Sequence, residues 1–168
     1  MADIERLRKN LEDRGIRSSY FATAQAAADY LDRQIDGTTV GIGGSMTVKA
    51  MGLYPRLSAH NRVVWHWEGG GLEDAAGTEV YLTSANGVAE TGELVNIDGT
   101  CNRIASSVYG HKRVYLVVGV NKIEPDYDRA LWRPQRTPSA WGERPPARSR
   151  PTAVMTARAR SGSAGACR

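Results

Sequence analysis

The sequence predicts an α/β fold, a largely parallel sheet held between helices, and three observations carry that prediction. The segment "RVYLVVGV" is apolar nearly throughout, as a strand covered on both faces must be. Helical and strand periodicities alternate along the body of the chain. The stretch "TVGIGGSMTVKAMGL" passes from a β-branched run into glycines and then into helical spacing, which is how a strand hands over to a helix in such a sheet.

Taken in order, Ile4, Leu7 and Leu11 form one face of a first helix that ends at Gly15. Thr23 is placed to cap a second helix through Leu31 and Ile35, and Asp36-Gly37 turns the chain into a strand over 38–42. Met46, Lys49, Ala50 and Leu53 then share helical spacing, with the hydroxyls of Ser45 and Thr47 available as caps. "RVVWHW" reads as a strand with Trp65 and Trp67 on one buried face and His66 a structural side chain between them. "TEVYLTS" and "GELVNI" are further strands, and "CNRIASSVYG" is a helix on Ile104, Ala105 and Val108 that His111 closes. Gly43 and Gly44 leave two readings open: a tight packing turn, or a cradle whose free amides attract a phosphate or carboxylate.

At 168 residues the chain suits one domain with a real core. It has no apolar run of about 18 residues to span a bilayer, and its charged, amphipathic N-terminus carries no secretory signal. The expected compartment is therefore the cytoplasm. Cys101 and Cys167 lie far apart without metal-type spacing, so both read as free thiols. The net charge is +4, but residues 133–168 carry +7 and the remainder −3. A mildly acidic body disfavours nucleic acid as a partner of the domain. The basic end lacks Leu, Ile, Phe and Tyr, so it is expected to be a disordered tail beyond about residue 135, with the domain boundary at 132.

Ligands of parallel sheets bind beyond the carboxyl ends of strands. Four loops there are rich in polar groups: "GGSMT", "TSANGVAETG", "NIDGTCNR" and "VNKIEPDYD". They offer Glu90, Glu93 and Asp98 as acids and bases, Asn86, Asn102 and Asn121 as hydrogen-bond donors, and Arg103 and Lys122 as anion holders. Asp98-Gly99 also reads as a plain turn.

Those same segments, "EVYLTSANGVAETGELVNIDGTCNRIASSVYGHKRVYLVVGVNKIEPDYDRAL" with "TVGIGGSMTVKAMGL", resemble the lactate utilisation (LUD) domain family in its small single-domain branch. The resemblance covers most of residues 1–132. It implies a three-layer α/β/α sandwich around a largely parallel sheet, the fold shared by ribose-5-phosphate isomerase, glucosamine-6-phosphate deaminase and CoA transferases. In that superfamily a glycine-serine loop after an early strand receives an anion, and Gly43, Gly44, Ser45 and Thr47 match its position. The family is linked to oxidation of L-lactate to pyruvate. The chain departs from it twice. Cys101 stands where the family pattern "DGTGNR" has glycine. Beyond Trp132 relatives continue with "AAPKNAQRLG" and a cysteine-rich stretch, whereas the Arg- and Pro-rich ending here reads as a shifted frame of that sequence. No metal or iron-sulfur cluster is then expected, and the cofactor is unknown.

Three function classes follow: an enzyme or subunit acting on a small anionic metabolite, a non-catalytic ligand-binding or accessory subunit, and a nucleic-acid or surface binder working through the tail. A homo-oligomer is compatible with each.

Overall fold

A computed structural model describes residues 2–136 and 152–158. Helix α1 (Ile4–Asp13) is capped by the Asp3 carboxylate and buries Leu7 and Leu11. Strand β1 (Arg17–Phe21) follows, then α2 (Ala24–Gln34), whose Ala26 amide donates to the Thr23 hydroxyl. Strand β2 (Thr39–Ile42) leads to α3 (Met46–Ala50) and α4 (Leu53–Ser58), and β3 (Arg62–Trp65) to α5 (Leu72–Ala76). Strand β4 (Val80–Thr83) leads to β5 (Gly87–Ala89), β6 (Leu94–Val95) and α6 (Asn102–Val108). The described chain closes with β7 (Arg113–Gly119), β8 (Ile123–Glu124), α7 (Tyr127–Arg136) and β9 (Thr152–Arg158).

The main sheet has the order β1-β9-β7-β4-β2-β3, and a small sheet the order β6-β5-β8. Strands β7, β4, β2 and β3 pair in parallel, while β9 is antiparallel to both of its neighbours. Alternation along the central strands sends side chains into two apolar layers. Val40, Ile42, Val80, Leu82, Tyr115 and Val117 meet α2, α3 and α4 on one face. Tyr81, Val114, Leu116 and Val118 meet α1, β5 and β8 on the other. This is the expected three-layer α/β/α sandwich.

Several elements differ from the sequence reading. The helix after the glycines breaks at Gly52, which adopts φ 63°. The strand of "RVVWHW" stops at Trp65 and a 3-10 turn takes His66–Glu68. Trp65 is buried as expected, but Trp67, carried on the turn rather than the strand, is 41% exposed. The "TSANGVAETG" block is only partly loop, since β5 lies within it. The helix over "CNRIASSVYG" forms, yet it buries Ser106 and leaves Val108 exposed.

The tail requires the largest correction. Helix α7 runs past the expected boundary at 132 to Arg136, and Arg133 is buried. Residues 152–158 form β9, paired on both sides with β1 and β7. The absence of Leu, Ile, Phe and Tyr does not exclude a strand whose backbone finds partners on two edges. The expected disorder of 137–151 and 159–168, and Cys167, fall outside the described residues.

On the surface between α2 and α4, both ring nitrogens of His60 face carboxylates, Asp36 at 2.8 Å and Asp32 at 3.0 Å. Its pKa is raised, first by the Asp32 hydrogen bond and then by that to Asp36. A raised folded pKa gives stability that is complete below the unfolded value of about 6.5 and is lost as pH climbs through the folded value. Thermal melts of wild type and His60→Gln should therefore differ most near pH 6 and converge by pH 9. A gap that widens with pH would contradict the clamp.

Candidate functional site

From β2 the chain moves outward to the edge strand β3, then crosses back over β2 to β4. The carboxyl ends of β2 and β4 are thus the switch point of the parallel sheet, where connections depart in opposite directions and a crevice forms. Ile42 pairs with Leu82 there, and the Gly43 amide extends the ladder to the Leu82 carbonyl at 2.9 Å. The glycine loop therefore starts at the switch point.

Gly43 has a packing reason to be glycine. A Cβ at this position would lie 2.6 Å from the Tyr81 hydroxyl and 2.8 Å from Thr83 Oγ1. Thr83 is fully buried, and its hydroxyl has no hydrogen-bond partner among the described residues. Buried hydroxyls are ordinarily paired, so an orphan at a strand end needs an explanation. Burial raises the Tyr81 pKa, opposed by a Ser106 hydrogen bond and the Arg103 charge, so the phenol stays a neutral donor at physiological pH. Gly44 turns the other way: its Cβ direction meets only the His66 ring at 3.6 Å and Trp67 at 3.7 Å, ordinary contact distances. Burial lowers the His66 pKa, keeping the imidazole neutral. Ser45 spends its oxygen capping Val48 at 3.2 Å, and Thr47 is half-buried beside it.

The "NIDGTCNR" loop reaches this crevice through α6, which brings Ser106 and Arg103 to Tyr81. Arg103 is fixed by Asn86 Oδ1 at 2.9 Å and the Ile97 carbonyl at 2.6 Å. Asp98 accepts the Arg103 and Ile104 amides and so works as the cap of α6. Asn102 accepts from Thr100 at 2.6 Å. Lys122 donates to Ser84 Oγ and the Ala85 carbonyl, both at 2.8 Å, one residue past Thr83. Asn121 is exposed, and its carbonyl accepts from Arg133 at 3.1 Å.

Two expected acids lie elsewhere. Glu90 accepts the Asp3 amide at 2.8 Å and pairs with Arg6 at 3.5 Å, anchoring the start of α1. Glu93 pairs with Arg14 at 2.5 Å beyond the other end of that helix. Hydrogen bonding from Thr91, with Arg14 adding to it, holds its carboxyl below the usual range. The structure thus puts Gly43 against Tyr81 and Thr83, Arg103 near Tyr81 and Lys122 on Ser84 and Ala85, while Glu90 and Glu93 lie apart against α1 and its flanks. Sequence reasoning missed Tyr81, Thr83 and Ser106. Thr83 and Ser84, two hydroxyls directly after the apolar "VYL", were the available signal.

The chain is an α/β sandwich with a glycine-serine loop at the switch point of its parallel sheet. The LUD domain family pattern matches residues 4–162, and the chain belongs to that family. No curated protein and no solved structure matches it. Among the described residues, no group of three or more His, Cys, Asp and Glu could hold a metal ion, and no helix is long and apolar enough to cross a membrane.

Two glycine-related substitutions test this geometry. Gly43→Ala should destabilise by about 1–3 kcal/mol through overpacking, while Gly44→Ala stays near neutral; urea unfolding distinguishes them, and equal costs would contradict the packing. Cys101 is exposed and adopts φ 60°, in the left-handed region. Cys101→Gly relieves a strain of about 1–2 kcal/mol against a smaller entropic loss in the unfolded chain. A gain of about 0.5–1 kcal/mol is expected in the same experiment.

Proposed function

We propose that this LUD domain protein binds a small anionic metabolite over Gly43 and Gly44, in a role linked to oxidation of L-lactate to pyruvate. The observation that carries the reading is the Thr83 hydroxyl, fully buried and unpartnered beside the Tyr81 phenol at the switch point. A ligand oxygen supplies the missing partner. Arg103, fixed by Asn86 and Ile97, gives the crevice positive charge, as a carboxylate or phosphate requires.

The non-catalytic form of this role has the better support. Glu90 and Glu93 are bound to α1 and its flanks, and Asp98 is occupied with the amides of α6. A general base must reach the proton it removes. None of the three carboxylates is free to do so over Gly43. The chain then acts as a ligand-binding or accessory subunit, with turnover belonging to a partner.

Thr83→Val separates binding from folding. Removing an unpartnered buried hydroxyl should leave the apo protein as stable or about 1 kcal/mol more stable, while abolishing the rise in melting temperature that millimolar pyruvate, L-lactate, sugar phosphate or CoA ester gives the wild type. Retention of the full ligand-induced shift by the valine variant would refute the site. If none of these anions stabilises the wild type, the proposed ligand class is wrong.

A further inference from the structure

Trp67 is a large aromatic side chain left 41% exposed, yet it is held firmly. Its ring lies 5.0 Å from that of buried Trp65 and 5.5 Å from His66, and Lys49 Nζ stands 5.6 Å from its centroid. Trp65 in turn packs on Tyr54 at 5.8 Å. An exposed indole braced from behind by buried Trp65, itself packed on the partly buried Tyr54, is held in a fixed orientation at the surface. The indole borders the ligand loop, because the side-chain direction left empty at Gly44 points at Trp67 and His66. Met46, half-exposed at the first position of α3, adds adaptable apolar surface at the same loop.

We propose that Trp67 is a specificity-determining platform, and that the anion bound at the switch point carries a planar ring that stacks on it. This rests on the anion site argued above. The two ends of the ligand are then read by different strands. The acid group faces Thr83, Tyr81 and Arg103 at the β4 side, and the ring lies along β3, with the Gly43-Gly44 backbone between them. Lys49 serves both ends, since its ammonium is attracted to the indole face and to an anion alike.

Pyruvate and phenylpyruvate test this, because they share the 2-oxo acid and differ only by the ring. Titration calorimetry of the full chain should show phenylpyruvate binding about tenfold more tightly than pyruvate. Trp67→Ala should remove that advantage and leave pyruvate affinity within about twofold, while Trp67→Phe restores part of it. Trp67 lies on the surface, and circular dichroism verifies the fold of each variant. Phenylpyruvate binding no more tightly than pyruvate, or an advantage that survives Trp67→Ala, overturns the platform and leaves the anion site standing. Binding of neither compound also overturns the platform, while the anion site is judged by the Thr83→Val melts with the wider set of anions.

Discussion

Strands β4 and β7 are buried on both faces, and the remaining structure follows from that constraint. Each alternate residue must enter one of two apolar layers, so Val80 and Leu82 face α2–α4 while Tyr81 faces the opposite side. A one-residue slip would exchange the layers and place Tyr81 among the aliphatic contacts of Val40 and Ile42. The pleat therefore fixes register, and register fixes the crevice. Thr83 comes to lie beside Gly43 only because Leu82 is opposite Ile42. The hydroxyl that lacks a partner is delivered to the switch point by the alternation that packs the core.

The structure also separates two uses of charge. The acids nearest α1 neutralise its arginines: Glu90 with Arg6, Glu93 with Arg14. They tie the β5–β6 hairpin to the first helix. Arg103 and Asp98 instead brace α6 over Tyr81 through hydrogen bonds to loop carbonyls and amides. Each set is local to its own junction. What is left at the ends of β2 and β4 is a pair of buried hydroxyls, those of Tyr81 and Thr83, with the Arg103 charge near the phenol.

Much of this was legible in the sequence because it was local. The alternation in "RVYLVVGV", the Thr23 cap and the glycine-serine junction each depend on residues a few positions apart. Strand β1, "RSSYF", was not legible, since its polar, half-buried pattern is strand only in the company of β9. Strand β9 was missed for the same reason: backbone pairing on two edges decides it. At the end of β2, the turn at Gly43-Gly44 and the Ser45 cap of α3 could be read from turn chemistry. Glu90 and Glu93 could not be placed, because their partners lie about eighty residues away on α1. Tyr81 and Thr83 were concealed inside a segment that reads as core.

The position of β9 has a consequence for how the chain acquires its shape. Among the described residues β1 pairs in the main sheet with β9 alone, so residues 17–21 must wait for residues 152–158 before they can join. The partly made chain has an open β7 edge and an unpaired β1, and closing that gap links residues more than 130 positions apart. Such long-range closure raises contact order and slows folding. While it is pending, the exposed edge can pair with another copy. Strand β1 therefore enters the sheet late, on an edge that β9 must first provide.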